Sequence, residues 1–136
     1  MSYAVSASLQ AAVYQALDAD AALAALVGDA VYDALPAGSL PPLYVVLGPE
    51  QVRDRSDKTG DGAEHDITVS VVTDETGFQA AKQAAGAVSD VLHGAALVLG
   101  RGRLVSLNFL KAAAKLDGTG SDRRIDLKFR ARVADE

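Results

Sequence analysis

The sequence predicts a single α+β domain, in which a mixed, mostly antiparallel sheet carries helices and ends in a long C-terminal β-hairpin. Three observations predict this class. The 136 residues suffice for one hydrophobic core and are too few for two comfortable domains. Apolar residues recur with helical spacing in some segments and with strand spacing in others. The stretch Arg103–Val133 has the pattern of two long strands joined by a turn at Asp117–Asp122.

The second arm of this hairpin alternates between apolar and mostly charged side chains, which predicts one buried and one solvated face. The apolar positions are Ile125, Leu127, Phe129, Ala131 and Val133, and the polar ones are Asp126, Lys128, Arg130 and Arg132. The first arm, Leu104–Leu116, is apolar on both faces, which predicts an interior strand covered on both sides. Because arms of this length exceed an ordinary strand, we expect either a bulge or a tip that projects from the domain.

The N-terminal region predicts two helices that follow closely on one another. Apolar residues at helical spacing give an amphipathic helix over about Ser2–Leu17. Asp18 or Asp20 can cap a second, short helix that runs through Leu26, since a carboxylate accepts free amides of the first turn. Gly28 is expected to end it with positive φ.

Three strands are predicted before the next helix. Val31–Tyr32 is a short one, and Leu43–Leu47 is a β-branched and aromatic run that can resume as far as Arg53. Asp66–Thr73 is another strand of β-branched residues. The charged, glycine-containing segment Asp54–Ala63 between them is expected to be a mobile loop.

The third helix has the most complete set of signals. Thr76 and Gln79 have the spacing of a capping box, and Gly94 is placed to stop the helix. His93 near the C-terminus fits the helix dipole. The predicted buried stripe is Phe78, Ala81, Ala85, Val88 and Leu92.

The net charge of −5 conceals an uneven distribution. Residues 1–50 contain five acids and no Lys or Arg, whereas residues 101–136 contain nine bases and five acids. Two unlike faces suit head-to-tail packing of identical subunits, although ordinary solvated charge explains them equally well. Nucleic acid is disfavoured as a specific partner, because the chain is acidic overall and few aromatic residues interleave with the bases.

The composition also argues against several other classes of protein. No cysteine is present, so neither a disulfide nor thiolate chemistry is available. The chain has no run of 18 apolar residues and no secretory signal pattern, so we expect no membrane span and folding in the cytoplasm.

Motifs with possible chemistry are weak, and we expect no catalytic, cofactor or metal site. Asp57–Gly62 is similar to a calcium loop, but Thr68 stands where a bidentate glutamate is required. His65 with Asp66 could form an acid/base pair, yet no nucleophile pattern accompanies it. Gly100–Arg103 precedes a strand, whereas a phosphate-binding loop precedes a helix.

The order of segments resembles the tail-completion, or tail terminator, proteins of long-tailed, siphophage-like phages and gene transfer agents. The segments that carry this likeness are Asp20–Tyr32, Pro41–Gly48, the strand His65–Thr73, the helix end Val91–Gly94, and Arg123–Ala131. Each is weak alone, but together they cover nearly the whole chain, so residues 1–136 are interpreted as one tail terminator-like domain. Val72 departs from the pattern, since an aromatic residue is expected near the end of that strand.

The resemblance implies a structural, non-enzymatic protein of the virion or gene transfer agent particle. Such a protein forms a ring, hexameric in this family, that caps the tail tube and joins it to the neck. Its partners are copies of itself, the tail tube protein and a neck or head-closure protein, while DNA passes through the lumen without specific binding. Two alternatives remain open: a head-closure or connector ring of the neck, and a small α+β ligand-binding or hydrolytic domain that uses Glu64, His65 and Asp66.

Contacts with other subunits or with the tube are expected from the charged residues of the predicted loop and ribbon. The candidates are Arg53, Arg55, Asp57, Lys58, Arg101, Arg103, Lys111, Lys115, Arg123, Arg124 and Arg130. Of these, Arg123 and Arg124 follow the ribbon turn, where they could bind a carboxylate-bearing partner or simply keep the tip soluble.

Overall fold

The computed structural model describes residues 2–116 and 122–135 and confirms the α+β class. Its elements are a 3₁₀ turn Ser2–Val5, α1 (Ser6–Ala19), α2 (Ala21–Val27), β1 (Val31–Tyr32), β2 (Leu43–Asp54), β3 (Asp61–Thr73), α3 (Gln79–Leu92), β4 (Arg103–Leu116) and β5 (Arg123–Asp135). The predicted C-terminal hairpin is present, because β4 and β5 pair along their length. Its turn lies outside the described residues.

The five strands form one sheet in the order β1-β2-β3-β5-β4. β1 pairs with β2 in parallel, and every other neighbouring pair is antiparallel. The order places the strands of the acidic N-terminal region at one edge and the strands of the basic C-terminal region at the other. The N-terminal and C-terminal parts of the chain thus form opposite edges of one sheet.

The three α-helices contact one another and pack as one layer on one face of the sheet. The predicted alternation of β5 is confirmed, since all five of its apolar positions are buried in this core. Phe129 is fully buried, and its ring meets that of Phe109 edge-on at 5.8 Å between centroids. The other face carries the charged residues of β5 and is called here the helix-free face.

The prediction that the first ribbon arm is an interior strand is wrong. β4 is the outer strand of the sheet, and β5 is the interior one. From Asn108 to Leu116 every residue of β4 is exposed. Leu107 is buried, but Phe109, Leu110 and Leu116, which also suggested burial, are exposed in the described chain. The expected bulge is confirmed at two places, where the register with β5 shifts between Leu104 and Ser106 and between Phe109 and Lys111.

The helix ends agree with the sequence in part. The first predicted helix starts as a 3₁₀ turn, and the Asp20 carboxylate caps α2 by accepting the Leu23 amide at 2.9 Å. Gly28 ends α2 with φ of 64°, a backbone conformation that glycine adopts without a steric cost.

The predicted capping box of the third helix is wrong. α3 begins at Gln79, and its N-cap Phe78 makes no side-chain cap hydrogen bond. The hydroxyl of Thr73 instead accepts the amide of Glu75 at 3.2 Å, and Arg123 donates to the Glu75 carbonyl at 3.1 Å. These bonds hold the approach to the helix in a series of bends, so Thr76 does not act as its cap.

The segment Asp54–Ala63 is more regular than a mobile loop. β2 continues to its first residue and β3 begins at Asp61, so only six residues connect the two strands. The Arg55 amide donates to the Gly62 carbonyl at 2.8 Å, which extends the ladder toward the turn. The carboxylate of Asp57 then closes the turn from inside.

Candidate assembly surfaces

An ion-pair network occupies the helix-free face where β2, β3 and β5 run side by side. The strand register sets Glu64 opposite Arg53 and Asp66 opposite Arg130. Arg53 donates to Glu64 at 3.0 Å, and Arg130 donates twice to Asp66, at 2.8 and 3.0 Å. Arg55 binds the second oxygen of Glu64 at 3.1 Å. Three predicted contact residues are thus brought together, and each is bound to a carboxylate of its own chain.

The two carboxylates of this network are both stabilised in their charged form. The hydrogen bond from Arg130 is the main cause that lowers the pKa of Asp66. For Glu64 the largest single influence is burial, which raises the pKa, but the bond from Arg55 and the charge of Arg130 outweigh it and the pKa is lowered. Both groups therefore neutralise the neighbouring arginines at neutral pH.

A second cluster surrounds Asp126 on the same face. Ser70 and Arg124 donate to one oxygen of Asp126 at 2.6 and 2.8 Å, and Lys115 lies 3.4 Å from the other oxygen. Burial raises the pKa of Asp126, but the bonds from Ser70 and Arg124 outweigh it, so the pKa is lowered. Lys115 thereby joins β4 to β5, and Ser70 joins β3 to β5 and also accepts a hydrogen bond from Arg124 at 3.2 Å. Lys115 and Arg124, both predicted as contacts, are thus bound within the subunit.

Arg101 and Arg123 also bind within the chain. Arg101 makes two bonds to Asp135, at 3.1 and 2.9 Å. Arg123 lies 5.3 Å from the centroid of the Phe78 ring, besides its bond to the backbone before α3. Arg123 therefore fixes the approach to α3 and is not a free charge at a projecting tip.

Two predicted contacts, Lys58 and Lys111, differ from the others. Within residues 2–116 and 122–135 neither side chain makes a hydrogen bond or an ion pair. Lys58 lies in the exposed turn between β2 and β3. Lys111 lies on the outer strand opposite Lys128, and like charges at opposed positions repel. Lys111 is therefore the basic residue of β4 that is best placed to meet an acidic partner.

The segment similar to a calcium loop is a turn closed by its own aspartate. Asp57 accepts the amides of Thr59 and Gly60 at 2.9 and 3.0 Å, and the bond from Thr59 is the main cause that lowers its pKa. Among the described residues no group of three or more metal-ligating side chains converges. Arg103, the last predicted contact, is exposed at the first position of β4.

The outer strand β4 presents an apolar surface that is only partly covered. The Gly94 amide donates to the Leu107 carbonyl at 2.7 Å, and the Phe109 amide donates to Nδ1 of His93 at 3.0 Å. The end of α3 thus covers the edge as far as Phe109. Beyond it, Leu110 and Leu116 are 41% and 59% exposed.

His65 and Asp66 cannot act as one acid/base pair, because neighbouring strand residues point to opposite faces. His65 is fully buried beneath the helices, and its Nδ1 lies 3.2 Å from Glu50, whose other oxygen accepts the Ser6 hydroxyl at 2.7 Å. A hydrolytic triad places the imidazole between hydroxyl and carboxylate. Here the carboxylate of Glu50 lies between the Ser6 hydroxyl and the His65 imidazole.

The sequence interpretation missed the carboxylates that bind the predicted bases. Glu64 and Asp66 were considered only as possible catalytic groups, while Asp126 and Asp135 received no role. The available signal was charge alternation on adjacent strands, where opposite charges at opposed positions stabilise a sheet. Using that signal requires the register between β3 and β5, which the sequence alone does not supply.

Comparison with known proteins identifies the family of this chain. The family model described as "Tail completion protein gp17" matches residues 11–134. The chain belongs to this tail-completion family. Its role is therefore structural, in completing the tail of a phage-like particle.

The fold is shared with a chain of a solved particle. The structure described as "Virion of native gene transfer agent (GTA) particle" contains a chain that is 65% identical to this one, with a TM-score of 0.94. The alignment covers 98% of this tail-completion chain and 99% of that chain. No individually curated protein matches. Among the helices described, none is long and apolar enough to cross a membrane.

Proposed function

We propose that the chain is a tail terminator, which forms a ring, caps the tail tube and joins it to the neck. One observation supports this most: the sheet order places the acidic and the basic parts of the chain at opposite edges. Unlike edges on one subunit favour a heterologous contact, and heterologous contacts between identical subunits form a ring when the rotation from one subunit to the next closes. The family resemblance sets the expected number of subunits at six.

The similar chain from a gene transfer agent virion supports an origin in such a particle or in a phage. The neighbours of the ring are then the tail tube protein on one side and a neck or head-closure protein on the other.

DNA is proposed to pass through the lumen without specific binding. The arginines of the helix-free face are already bound to Glu64, Asp66 and Asp126, so few of their charges are available to release counterions from DNA. Weak affinity suits a channel through which DNA must move in both filling and delivery.

We also propose that the protein acts without catalysis. Ser6, Glu50 and His65 stand in the wrong order for a nucleophile activated by histidine. Their hydrogen bonds instead join the start of α1 to β2 and β3, which is a structural use of the same residues.

The test is electron microscopy of tail tubes assembled without this protein and then mixed with it. A ring at one end of the tube, with tubes of fixed length, is the expected result. A ring found on isolated heads but not on tubes would favour the head-closure alternative. Tube ends without added density at any concentration would overturn the terminator role.

A further inference from the structure

The outer edge of β4 beyond Phe109 is an unpaired strand edge. Residues 110–116 are all exposed, and within the described chain their backbone hydrogen bonds go to β5 alone. An exposed, apolar edge strand is a template for pairing with another chain, and proteins that keep one in a monomer usually protect it. Here protection by His93 and Gly94 stops at Phe109.

The backbone groups that face outward can be identified from the register. Leu107 and Phe109 direct their backbone groups away from β5, toward Gly94 and His93. β5 pairs with β3 without a break in register, so its residues alternate regularly between hydrogen bonding to β3 and to β4. The next β4 residues whose backbone groups face outward are therefore those opposite Leu127 and Ile125. These are Ala112 and Ala114.

We propose that this edge pairs with the β1 edge of a second copy, so that the sheet continues from subunit to subunit around the ring. The proposal rests on the ring function above and names the edges that form it. Strand direction permits the pairing: β4 is antiparallel to β1 within one subunit, so a neighbour in the same orientation presents β1 antiparallel to β4.

The distribution of charge favours β1, and not a second β4, as the strand that pairs with this edge. The exposed edge of β4 carries Lys111, whose charge is unpaired in the described chain, and Lys115, which is paired with Asp126. Two β4 strands paired antiparallel about Ala113 would place Lys111 opposite Lys115, and like charges at opposed positions repel. β1 is flanked by the exposed acids Asp29 and Asp33, in a region without any base.

Apolar surface is also available on the β1 side. Leu35 and Leu40, in the segment that follows β1, are exposed large hydrophobic residues. They offer the neighbouring subunit a surface against which Leu110 or Leu116 of β4 can pack. Burial of apolar side chains from both edges would then add to the backbone hydrogen bonds of the junction.

The first test removes one outward backbone donor. Ala114→Pro fits an edge strand whose N–H faces solvent, whereas Ala114→Val keeps the donor and is the matched control. The measured quantity is the protein concentration that caps half of the tail-tube ends. We expect the proline variant to raise it by about tenfold or more, the equivalent of a lost hydrogen bond at each junction, and the valine variant to match the native protein. Equal capping by the proline variant, with its fold verified by circular dichroism, overturns the proposal.

The second test exchanges charges between the two edges. Lys111→Glu and the double variant Asp29→Lys with Asp33→Lys should each cap tubes poorly, because like charges then meet at every junction. An equimolar mixture should recover capping, since alternating subunits restore opposite charges in a ring with an even number of members. No recovery in the mixture means that the β4 edge contacts the tube or another β4, and the proposal fails.

These outcomes separate the inference from the proposed function. If native protein never caps tubes, the terminator role fails and the edge pairing fails with it. If native protein and both sets of variants cap tubes equally well, the terminator role stands and only the pairing of β4 with β1 is refuted.

Discussion

Replacing Leu116 with serine should weaken assembly while the domain stays folded. Leu116 lies on the outer strand and is 59% exposed, so folding removes less than half of it from water. Full burial of a leucine contributes about 1.5–3 kcal/mol, so the part buried here contributes roughly 1 kcal/mol. A loss of that size should leave the native state populated.

Leu107 provides the matched control, because it lies on the same strand and the same face of the sheet but is only 1% exposed. Leu107→Ala removes a buried side chain and leaves a cavity, which costs about 2–5 kcal/mol. Urea denaturation followed by circular dichroism measures both free energies of unfolding. The capping assay then shows whether Leu116→Ser raises the half-capping concentration.

The reasoning depends on the contrast between these two leucines. If Leu116→Ser destabilises the monomer as much as Leu107→Ala does, then the apolar residues of β4 belong to the core of the subunit. If it neither destabilises the subunit nor changes capping, the exposed end of β4 is not an interface.

Three further predictions concern the subunit itself. Asp66→Asn should lower the thermal midpoint modestly, because Arg130 and Arg53 both lose the charge of Asp66 while each keeps an ion pair with Glu64. Asp90→Asn on the exposed side of α3 should not lower the midpoint, and equal midpoints for the two variants would show that the network is not stabilising. Acidification should destabilise the fold, because the pKa values of Asp66 and Asp126 are lowered in the native state. The stability that these two carboxylates contribute is complete above their ordinary pKa of 3.8 and is lost as the pH falls through their native-state pKa values. Unfolding by urea at pH 6 and at pH 3 tests this, and an unchanged midpoint would contradict it. Phe129→Ala should cost about 3–5 kcal/mol in the same assay, since this ring is fully buried, and a loss below about 1 kcal/mol would show that the site collapses around the gap.

The sequence predicts most of the elements because local patterns determine them. β5 alternates without exception, and Asp20 has both the residue type and the position of a helix cap. The capping box failed because a distant residue, Arg123, binds the backbone just before α3. Tertiary contacts therefore override a sound local pattern at that point.

The error at β4 has a different cause. A strand that is apolar on both faces can be covered by its own chain or by another subunit, and the two cases give the same pattern of residues. In the described residues, Leu110 and Leu116 are only partly covered by their own chain, and they remain 41% and 59% exposed. In a protein that assembles, such a pattern is as informative about an interface as about a core.

The candidate contacts were predicted from charge alone, which identifies bases but not their partners. Arg53, Arg55 and Arg130 lie on the helix-free face as alternation requires, yet the strand register places Glu64 and Asp66 among them. Pairing across strands joins residues far apart in the sequence; Arg130 and Asp66, for example, are separated by 64 positions. No local pattern in the sequence contains that information.

Cross-linking between the two sheet edges tests the central claim most directly. The chain has no cysteine, so Lys111→Cys and Asp33→Cys can be introduced singly and together and joined with a short thiol-reactive cross-linker on capped tubes. A head-to-tail ring predicts that only the double variant forms a ladder of covalent oligomers, ending at six, while each single variant stays monomeric. Dimers from Lys111→Cys alone, or no ladder from the double variant on tubes that are visibly capped, would contradict it.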